Sequence, residues 1–291
     1  MFTSKSEGIS DFIDDTPDTE PAPEHQQNGD YTKLPSRPLK SIKDIGFCEE
    51  MNGRYRRTME DGHCMIDAFR DDKDSGYFAI YDGHGGKNAV LQVQKTFHTI
   101  FESHLKETSN ISEAYEKAYA EMDEALKTKE ALYNGTTSIS CYLCKQGSER
   151  KLYTANCGDA RVVINEGGIA KRLTFDHKAS EQSEVKRIQD KGGFVTFNRV
   201  NGILSVTRAF GDHAMKEWVI STPYQTEVTL TNAHTHLILA CDGVWDVLTD
   251  QEAVDLIKSE SMTAQEMSQK LLKTSLQKGS MDNISVMVVL L

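Results

Sequence analysis

Residues 76–86 read GYFAIYDGHGG, an apolar and aromatic run that ends in an acidic residue followed by glycine. Runs of this composition, bounded by glycine, are typical of buried β-strands. A carboxylate that directly follows such a strand lies where the chain leaves the sheet, and there it can face a cleft. Asp82 is therefore a candidate functional residue at the end of a predicted strand.

The same association of carboxylates with strand ends and glycine recurs along the chain, at Glu60-Asp61, Asp82-Gly83, Gly158-Asp159, Asp242-Gly243 and Asp282-Asn283. A single Asp-Gly pair usually marks a turn, so the interpretation depends on the recurrence. Carboxylates that converge without lysine or arginine partners repel one another, and a divalent cation relieves that repulsion. Because all-oxygen ligation suits Mg²⁺ or Mn²⁺, the pattern predicts a shared metal site.

The elements around this strand predict one layered domain of the α+β class. Other strand-like runs are TTSISCYLC (136–144), KLYTAN (151–156), RVVIN (161–165), HLILA (236–240) and ISVMVVLL (284–291). Apolar residues at helical spacing predict helices over 90–105 and 111–126, a short helix is predicted over 180–191, and Thr-x-x-Glu capping boxes at 249 and 263 open two more. Because strands and helices do not alternate regularly, the order favours an α+β domain over a parallel βαβ sheet.

Residues 1–38 differ in composition from the rest of the chain and are predicted to be a disordered, acidic tail. Five of the six prolines lie there, and residues 1–30 carry eight acidic side chains and one lysine. The segment is poor in large apolar residues, so it cannot bury enough surface to offset its chain entropy. The predicted folded domain is therefore 39–291, and the tail either regulates this domain or only keeps it soluble.

Composition also limits the expected partners and location. The net charge is −11, and no basic face or lysine and arginine stripe is present, so nucleic-acid binding is not expected. No apolar run approaches the roughly 18 residues of a membrane-spanning helix. The N-terminus carries neither a secretory signal nor Met-Gly, so the expected location is the cytosol or the nucleus.

The six cysteines are expected to be reduced residues of the core. Cys141 and Cys144 form a C-x-x-C, but they lie within a predicted strand. Strand residues three apart point to opposite faces, so this pair does not share one metal ion. An intracellular, reducing compartment agrees with this use of cysteine.

The segment YRRTMED, residues 55–61, combines arginine with two carboxylates. If it is extended, Arg56 and Glu60 share one face and Asp61 lies on the other. Glu60 could then bind a metal while Arg56 binds an anion beside it, because the planar guanidinium matches phosphate oxygens two at a time. The alternative is an exposed Arg–Glu pair of little energetic value. Asp61 points elsewhere unless the strand bends, so it is expected to reach a metal through water or to support the ligands without contacting the metal.

Eight motifs in order resemble those of the protein phosphatase 2C (PPM) family. They are RxxMED (56–61), DGHGG (82–86), GTT (135–137), NCGDAR (156–161), LTFDHK (173–178), GILSVTRAFGD (202–212), CDGVWDV (241–247) and DNISV (282–286). Two positions depart from the commonest form of these motifs: Gly85 stands where alanine is usual, and Phe210 stands where leucine is usual. The resemblance implies a metal-dependent protein-serine/threonine phosphatase in which a hydroxide bridging two metal ions attacks phosphoserine or phosphothreonine directly.

The resemblance also implies a fold and an assignment of the metal ligands. The expected architecture is a central antiparallel β-sandwich flanked by α-helices on both faces (α-β-β-α layers), with the catalytic domain over 39–291. Asp82 corresponds to a carboxylate that bridges two Mg²⁺ or Mn²⁺ ions, and Gly83 to a backbone-carbonyl ligand. Glu60 corresponds to a ligand of one ion, and Asp242 and Asp282 to ligands of the other.

Further roles implied by the resemblance lie at the edge of this metal site. Asp159, with Asp242, corresponds to a weaker site for a third ion. Arg56 corresponds to the residue that binds the substrate phosphate, and His84 to the general acid that protonates the leaving seryl or threonyl oxygen. Phosphorylated proteins are the implied substrates, and we expect a monomer. Asp246 and Arg208 are expected to have structural roles, and residues 178–202 give little information on the substrate.

Three other classes of protein were weighed against this interpretation. A catalytically inactive relative would lack a ligand, yet no implied position is substituted. The Gly85–Lys87 sequence fails the P-loop spacing, and Cys48 with Arg54 has the spacing of a cysteine-phosphatase loop but not its glycines. A pure interaction module would leave the carboxylate array unexplained.

Overall fold

The computed structural model describes residues 30–128, 131–259 and 261–291, and residues 31–291 form one compact unit. Its helices are α1 (Asn88–Glu107), α2 (Ile111–Ala125), α3 (Gln182–Asp190), α4 (Asp242–Trp245), α5 (Asp250–Leu256) and α6 (Ala264–Gln277). Its strands are β1 (Asp44–Glu50), β2 (Asp61–Asp67), β3 (Gly76–His84), β4 (Gly135–Thr136), β5 (Ser138–Gln146), β6 (Glu149–Cys157), β7 (Arg161–Glu166), β8 (Ile169–Arg172), β9 (Val195–Thr196), β10 (Arg199–Val200), β11 (Phe210–Gly211), β12 (Tyr224–Thr229), β13 (His234–Ala240) and β14 (Ile284–Leu290).

Two antiparallel sheets form the centre of the fold. One has the strand order β1-β14-β13-β7-β8, and the other has the order β11-β4-β3-β5-β6-β12 with β2 paired to β3. Their facing side chains make a buried apolar core that includes Phe78 and Ile139 from one sheet and Val162, Leu239 and Met287 from the other. Alternation along each strand directs these residues inward, so the two sheets pack as a sandwich.

Helices cover the outer face of each sheet. The apolar stripes of α1 and α2, which include Phe97, Phe101 and Tyr115, pack on the β2–β3–β5 face through a cluster of aromatic side chains. The α4–α6 helices pack on the other sheet through Val254, Leu271 and their neighbours. The predicted α+β class and α-β-β-α layers are therefore confirmed.

Local sequence signals set the helix ends. The hydroxyls of Thr249 and Thr263 accept hydrogen bonds from backbone N–H groups three residues on, and the glutamates at those positions return the bonds, so both predicted capping boxes form. Cys141 lies in the core between the sheets and Cys144 lies under the α1 and α2 helices, which confirms that the C-x-x-C pair faces two ways. Among the described residues, no helix combines the length and apolarity needed to cross a membrane.

A smaller group of elements with its own apolar core lies beside the sandwich within the same compact unit. It contains α3 and the β9–β10 hairpin, and its core includes Ile188, Val200 and Val219. Buried Glu184 accepts hydrogen bonds from the guanidinium groups of Arg187 and Arg208. Burial opposes ionisation of Glu184, but these two cations outweigh it and lower its pKa to about 2. Arg208 thus has the structural role that was expected for it.

Part of the predicted tail contacts the domain. Residues 1–29 lie outside the described residues. Farther on, the Tyr31 ring packs edge-on against His98 of α1 with 4.9 Å between ring centroids, and its carbonyl accepts a 2.8 Å hydrogen bond from Met65 N in β2. Arg37 forms an ion pair with Asp44 at the start of β1. Residues 31–38 thus supply contacts that their composition does not suggest.

Candidate active site

Two acidic residues meet where β2 begins and β3 approaches its end. The antiparallel register places Asp61 directly opposite Asp82. The β-strand geometry of β3 then carries the chain through Gly83 to His84, which pairs with β4. Gly83 is closely packed, because a Cβ there would contact the Glu60 carbonyl and the Val90 side chain. Glycine at this position lets β3 run under the loop that carries Glu60.

The remaining carboxylates come from the strand ends of the sandwich. Asp159 lies in the connection from β6 to β7, Asp242 lies two residues after β13 and begins α4, and Asp282 lies two residues before β14. The structure brings these residues together with the end of β3 in a cleft of about 210 Å³. The cleft is lined by Arg56, Asp82, Gly83, His84, Thr137, Asp159, Arg199, Leu204, Ser205, Val206, Asp242 and Asp282.

Burial and mutual repulsion disfavour the ionised carboxylates of the cleft. Burial, with the charges of Asp242, Asp61, Asp159 and Asp282, raises the pKa of Asp82 well above its ordinary value. Burial and the charges of Asp159 and Asp282 act in the same direction on the pKa of Asp242. A site of this kind favours any cation that can take the place of protons and neutralise the carboxylates.

Two cationic side chains lie at the margins of the cluster and lessen the repulsion. Burial raises the pKa of Asp159 to about 6 even though the Lys178 ammonium, 3.7 Å away, lowers it. Lys178 also donates a 2.8 Å hydrogen bond to Asp246. Burial raises the pKa of Asp282, while its ion pair with Arg56 acts in the opposite direction. Asp246 therefore holds a lysine beside the cluster and does not line the cleft.

The loop that carries Arg56 differs from its predicted conformation. We expected residues 56–61 to be extended, but residues 53–58 form turns and bends and β2 begins only at Asp61. The side-chain amide of Asn52 donates to the Ser280 and Asp282 carbonyls. The Asn283 amide donates to Met51 O and Thr58 O and accepts from Glu60 N at 2.9 Å. These two asparagines position the loop, which brings Arg56 to Asp282.

Glu60 and Asp61 both depart from their expected positions, and neither of them lines the cleft. The Glu60 carboxylate accepts hydrogen bonds from the Gly86 N–H at 3.1 Å and the Thr58 hydroxyl at 2.7 Å, and it does not line the cleft. The prediction that Asp61 points away from the cluster was wrong, because β2 starts there and pairs it with Asp82. Asp61 Oδ2 is buried and has no hydrogen-bond partner among the described residues.

Ligand atoms of Asp61, Asp82 and Cys241 lie within 4.8 Å of one another. The Cys241 thiol accepts a hydrogen bond from Ser285 N and donates to Asn283 O, and burial raises its pKa well above the ordinary value. These contacts indicate a structural thiol behind the cluster. The unpartnered Asp61 oxygen and the four carboxylates that line the cleft match the ligand preference of Mg²⁺ and Mn²⁺, so the residues fit a hard divalent cation.

His84 has a partner that the sequence analysis did not identify. Its Nε2 lies 2.7 Å from Asp212 Oδ2, and the Asp212 side chain is 6% exposed. Asp212 is the last residue of the GILSVTRAFGD motif, so the signal was present without a role attached to it. Arg199, Thr137 and Ser205 were also missed as lining residues. Arg199 lies on the β9–β10 hairpin, within the segment that seemed uninformative.

A helix-flanked antiparallel sandwich with a carboxylate cleft is the arrangement that the motif resemblance implies. The family model of protein phosphatase 2C matches residues 45–284. The chain belongs to the protein phosphatase 2C family, whose members depend on metal ions, and it is a serine/threonine protein phosphatase that acts on phosphoproteins.

Individual relatives agree with this assignment. The chain is 38% identical over 279 residues to protein phosphatase 2C homolog 1 of Saccharomyces cerevisiae, a match that covers 91% of this chain and 99% of the relative. It is 38% identical to protein phosphatase 2C homolog 1 of Schizosaccharomyces pombe, over 87% of this chain and 75% of the relative. The crystal structure of a serine-threonine phosphatase 2C from Toxoplasma gondii shares the fold, with a TM-score of 0.73 at 21% identity over 87% of this chain and 97% of that one.

Proposed function

We propose that the cleft hydrolyses phosphoserine and phosphothreonine in one displacement by water, with two Mg²⁺ or Mn²⁺ ions held by its carboxylates. The observation that carries this proposal is the convergence of carboxylates that have too few cationic partners to neutralise them. Arg56 and His84 line the same cleft. When bound, a pair of divalent cations activates water and offsets the negative charge of the phosphoryl group.

Asp82 is the proposed shared ligand of the two ions, since it lines the cleft together with Asp242 and Asp282 and lies opposite Asp61 in the register of β2 and β3. The Gly83 carbonyl is proposed as a second ligand from the same strand. Asp242 and Asp282 would hold one ion. Asp61 and Glu60 would contact the other, Asp61 through water and Glu60 after a rotation that releases its bond to Gly86.

A weaker third ion would bind at Asp159 and Asp242. The Lys178 ammonium lies 3.7 Å from the Asp159 carboxylate and makes a hydrogen bond to Asp246. A cation that enters there must act against this ammonium, which is a physical reason for low affinity.

Arg56 is the proposed phosphate-binding residue. Its guanidinium contacts Asp282, and its side chain is 50% exposed, so it can turn to a phosphate without breaking a buried contact. A fixed planar group with several N–H donors can hold two phosphoryl oxygens at once. His84 is the proposed general acid: it lines the cleft and would give a proton to the seryl or threonyl oxygen as the P–O bond breaks.

The experiment is hydrolysis of a phosphothreonine peptide by the purified chain, titrated with Mn²⁺ or Mg²⁺ and then with excess EDTA. Activity should require the cation, and Asp82→Asn should lower kcat by about 100-fold or more, since it removes the charge shared by both ions. Asp255→Asn, an exposed carboxylate on α5, is the matched control and should behave as the wild type. Full turnover in EDTA, or an equal loss in the control, would overturn the proposal.

A further inference from the structure

The end of β3 and two short strands, β4 and β11, bring His84 and Asp212 together across a glycine. Gly135 in β4 pairs with His84 of β3 on one side and with Gly211 of β11 on the other. Asp212 therefore follows directly after a residue in register with Gly135. Its carboxylate reaches over the glycine to the imidazole, and residues 128 apart in sequence form one hydrogen bond.

The backbone around this hydrogen bond fits it closely. A Cβ on Gly135 would overlap both the Asp212 carboxylate and the His84 ring, so only glycine leaves space for the pair. Asp212 has a positive φ of 49°, a conformation that costs energy for most side chains but is tolerated by Asp and Asn. Its N–H donates a 3.0 Å hydrogen bond to Asn134 O. The fold thus holds this carboxylate in a strained but fixed position.

The bond also determines which ring nitrogen carries a proton. An ionised carboxylate only accepts hydrogen bonds, so Nε2 of His84 is the donor to Asp212. The other nitrogen, Nδ1, makes no hydrogen bond to any residue in the described ranges, and His84 lines the cleft. Nδ1 is therefore the nitrogen available to a substrate.

We propose that Asp212 is the positioning residue of His84: it fixes the ring orientation and holds the Nε2 proton, so that the protonated ring delivers its second proton from Nδ1 to the leaving oxygen. This inference rests on the proposed role of His84 as general acid. In the step, the ring begins as the imidazolium with a proton on each nitrogen, and the oxygen of water forms the new P–O bond. The bond from phosphorus to the seryl or threonyl oxygen breaks, the Nδ1–H proton passes to that oxygen, and the two protons of the water leave with the phosphate as H₂PO₄⁻. The ring ends as the neutral tautomer with its remaining proton on Nε2, where Asp212 accepts its hydrogen bond.

The competing interpretation is that Asp212 only stabilises the loop after β11. A neighbouring carboxylate separates the two interpretations: Asp123 of α2 accepts hydrogen bonds from Gly211 N at 3.0 Å and from Lys216 Nζ at 2.9 Å. Asp123 supports the same loop from the opposite side and is not hydrogen-bonded to His84. Asp123→Asn is therefore a matched control for loop damage.

The experiment measures kcat with saturating Mn²⁺ on two substrates, a phosphothreonine peptide and p-nitrophenyl phosphate, whose leaving group needs little protonation. Asp212→Asn keeps the size of the side chain and tolerates a positive φ, and Asp212→Gly removes the carboxylate at a position where glycine is also unstrained. Both should lower kcat on the peptide by about tenfold or more and on p-nitrophenyl phosphate by less than about threefold. Asp123→Asn should unfold at a lower temperature, because its bonds to Gly211 N and Lys216 Nζ are weakened, and should keep the wild-type ratio of the two rates.

A double-mutant cycle completes the test. If Asp212 acts through His84, adding Asp212→Asn to His84→Gln should change peptide kcat by less than about twofold. If His84→Gln alone lowers kcat on the peptide no more than on p-nitrophenyl phosphate, the proposed role of His84 as general acid is wrong. Asp212 is not the positioning residue if His84→Gln loses more kcat on the peptide while the Asp212 variants lose kcat equally on both substrates. The same conclusion follows if the kcat losses of His84→Gln and Asp212→Asn multiply in the double variant.

Discussion

Replacing Asp61 with asparagine should stabilise the metal-free protein at neutral pH and reduce the stability that bound metal adds. Burial raises the pKa of Asp61 to about 7 from 3.8, and the charges of Asp282 and Glu49 add to the effect. A carboxyl whose pKa is raised by folding favours the folded state at low pH, where it is protonated. That contribution declines above pH 4 and is fully lost above pH 7.

The displacement of the pKa sets the size of the effect. At roughly 1.4 kcal/mol per unit, a rise from 3.8 to about 7 corresponds to at most about 4 kcal/mol of lost stability at pH 8. Asparagine does not ionise, so Asp61→Asn removes this loss. In EDTA, the variant should be more stable than the wild type at pH 8 and close to it at pH 4.5. In saturating Mn²⁺ the order should reverse, because a weaker metal complex adds less stability.

Urea unfolding followed by circular dichroism in EDTA, from pH 4.5 to 8.5, measures the difference. Asp67→Asn is the control on the same strand: the Asp67 carboxylate accepts hydrogen bonds from Lys40 N, Ser41 N and the Ser41 hydroxyl. Losing a satisfied acceptor should destabilise that variant by about 1–3 kcal/mol at pH 8. If wild type and Asp61→Asn lose stability in parallel as the pH rises, folding does not raise the pKa of the Asp61 carboxyl.

Four further outcomes are expected. Asp242→Asn should lower kcat about 100-fold and raise the Mn²⁺ concentration for half-activation, because the amide loses the charge that holds the ion; an unchanged metal titration would contradict this. Arg56→Ala should raise KM for phosphopeptides more than it lowers kcat, and a selective loss of metal binding would show instead that Arg56 organises the ligands. Asn283→Ala leaves Glu60 N and two carbonyls without their partner, so Tm should fall by several degrees, consistent with about 2 kcal/mol; an unchanged Tm would mean that the loop does not depend on this amide. Deleting residues 1–38 should also lower Tm, since Tyr31 packs on His98, whereas a deletion ending at residue 29 should not; equal Tm values for the two deletions would refute that role.

The sequence alone predicted the elements of the fold because their signals are local. Apolar periodicity gave α1 and α2, threonine and glutamate three residues apart gave the caps of α5 and α6, and glycine beside acidic residues marked the strand ends. The candidate carboxylates were found in the same way, since each follows or precedes a strand. Their recurrence predicted a shared metal site, but the role of each carboxylate there required the motif resemblance, because spacing does not show which strand ends meet.

Tertiary structure decided the contacts that depend on pairing between distant segments. Asp61 faces Asp82 because β2 and β3 pair in one register, whereas an extended segment 56–61 would have turned Asp61 away. The loop with Arg56 is shaped by Asn283, more than 200 residues later, whose amide takes the place of strand partners. The His84–Asp212 bond exists because β3, β4 and β11 align at Gly135. Such contacts follow from sheet register and side-chain packing, which arise only when the whole chain has folded.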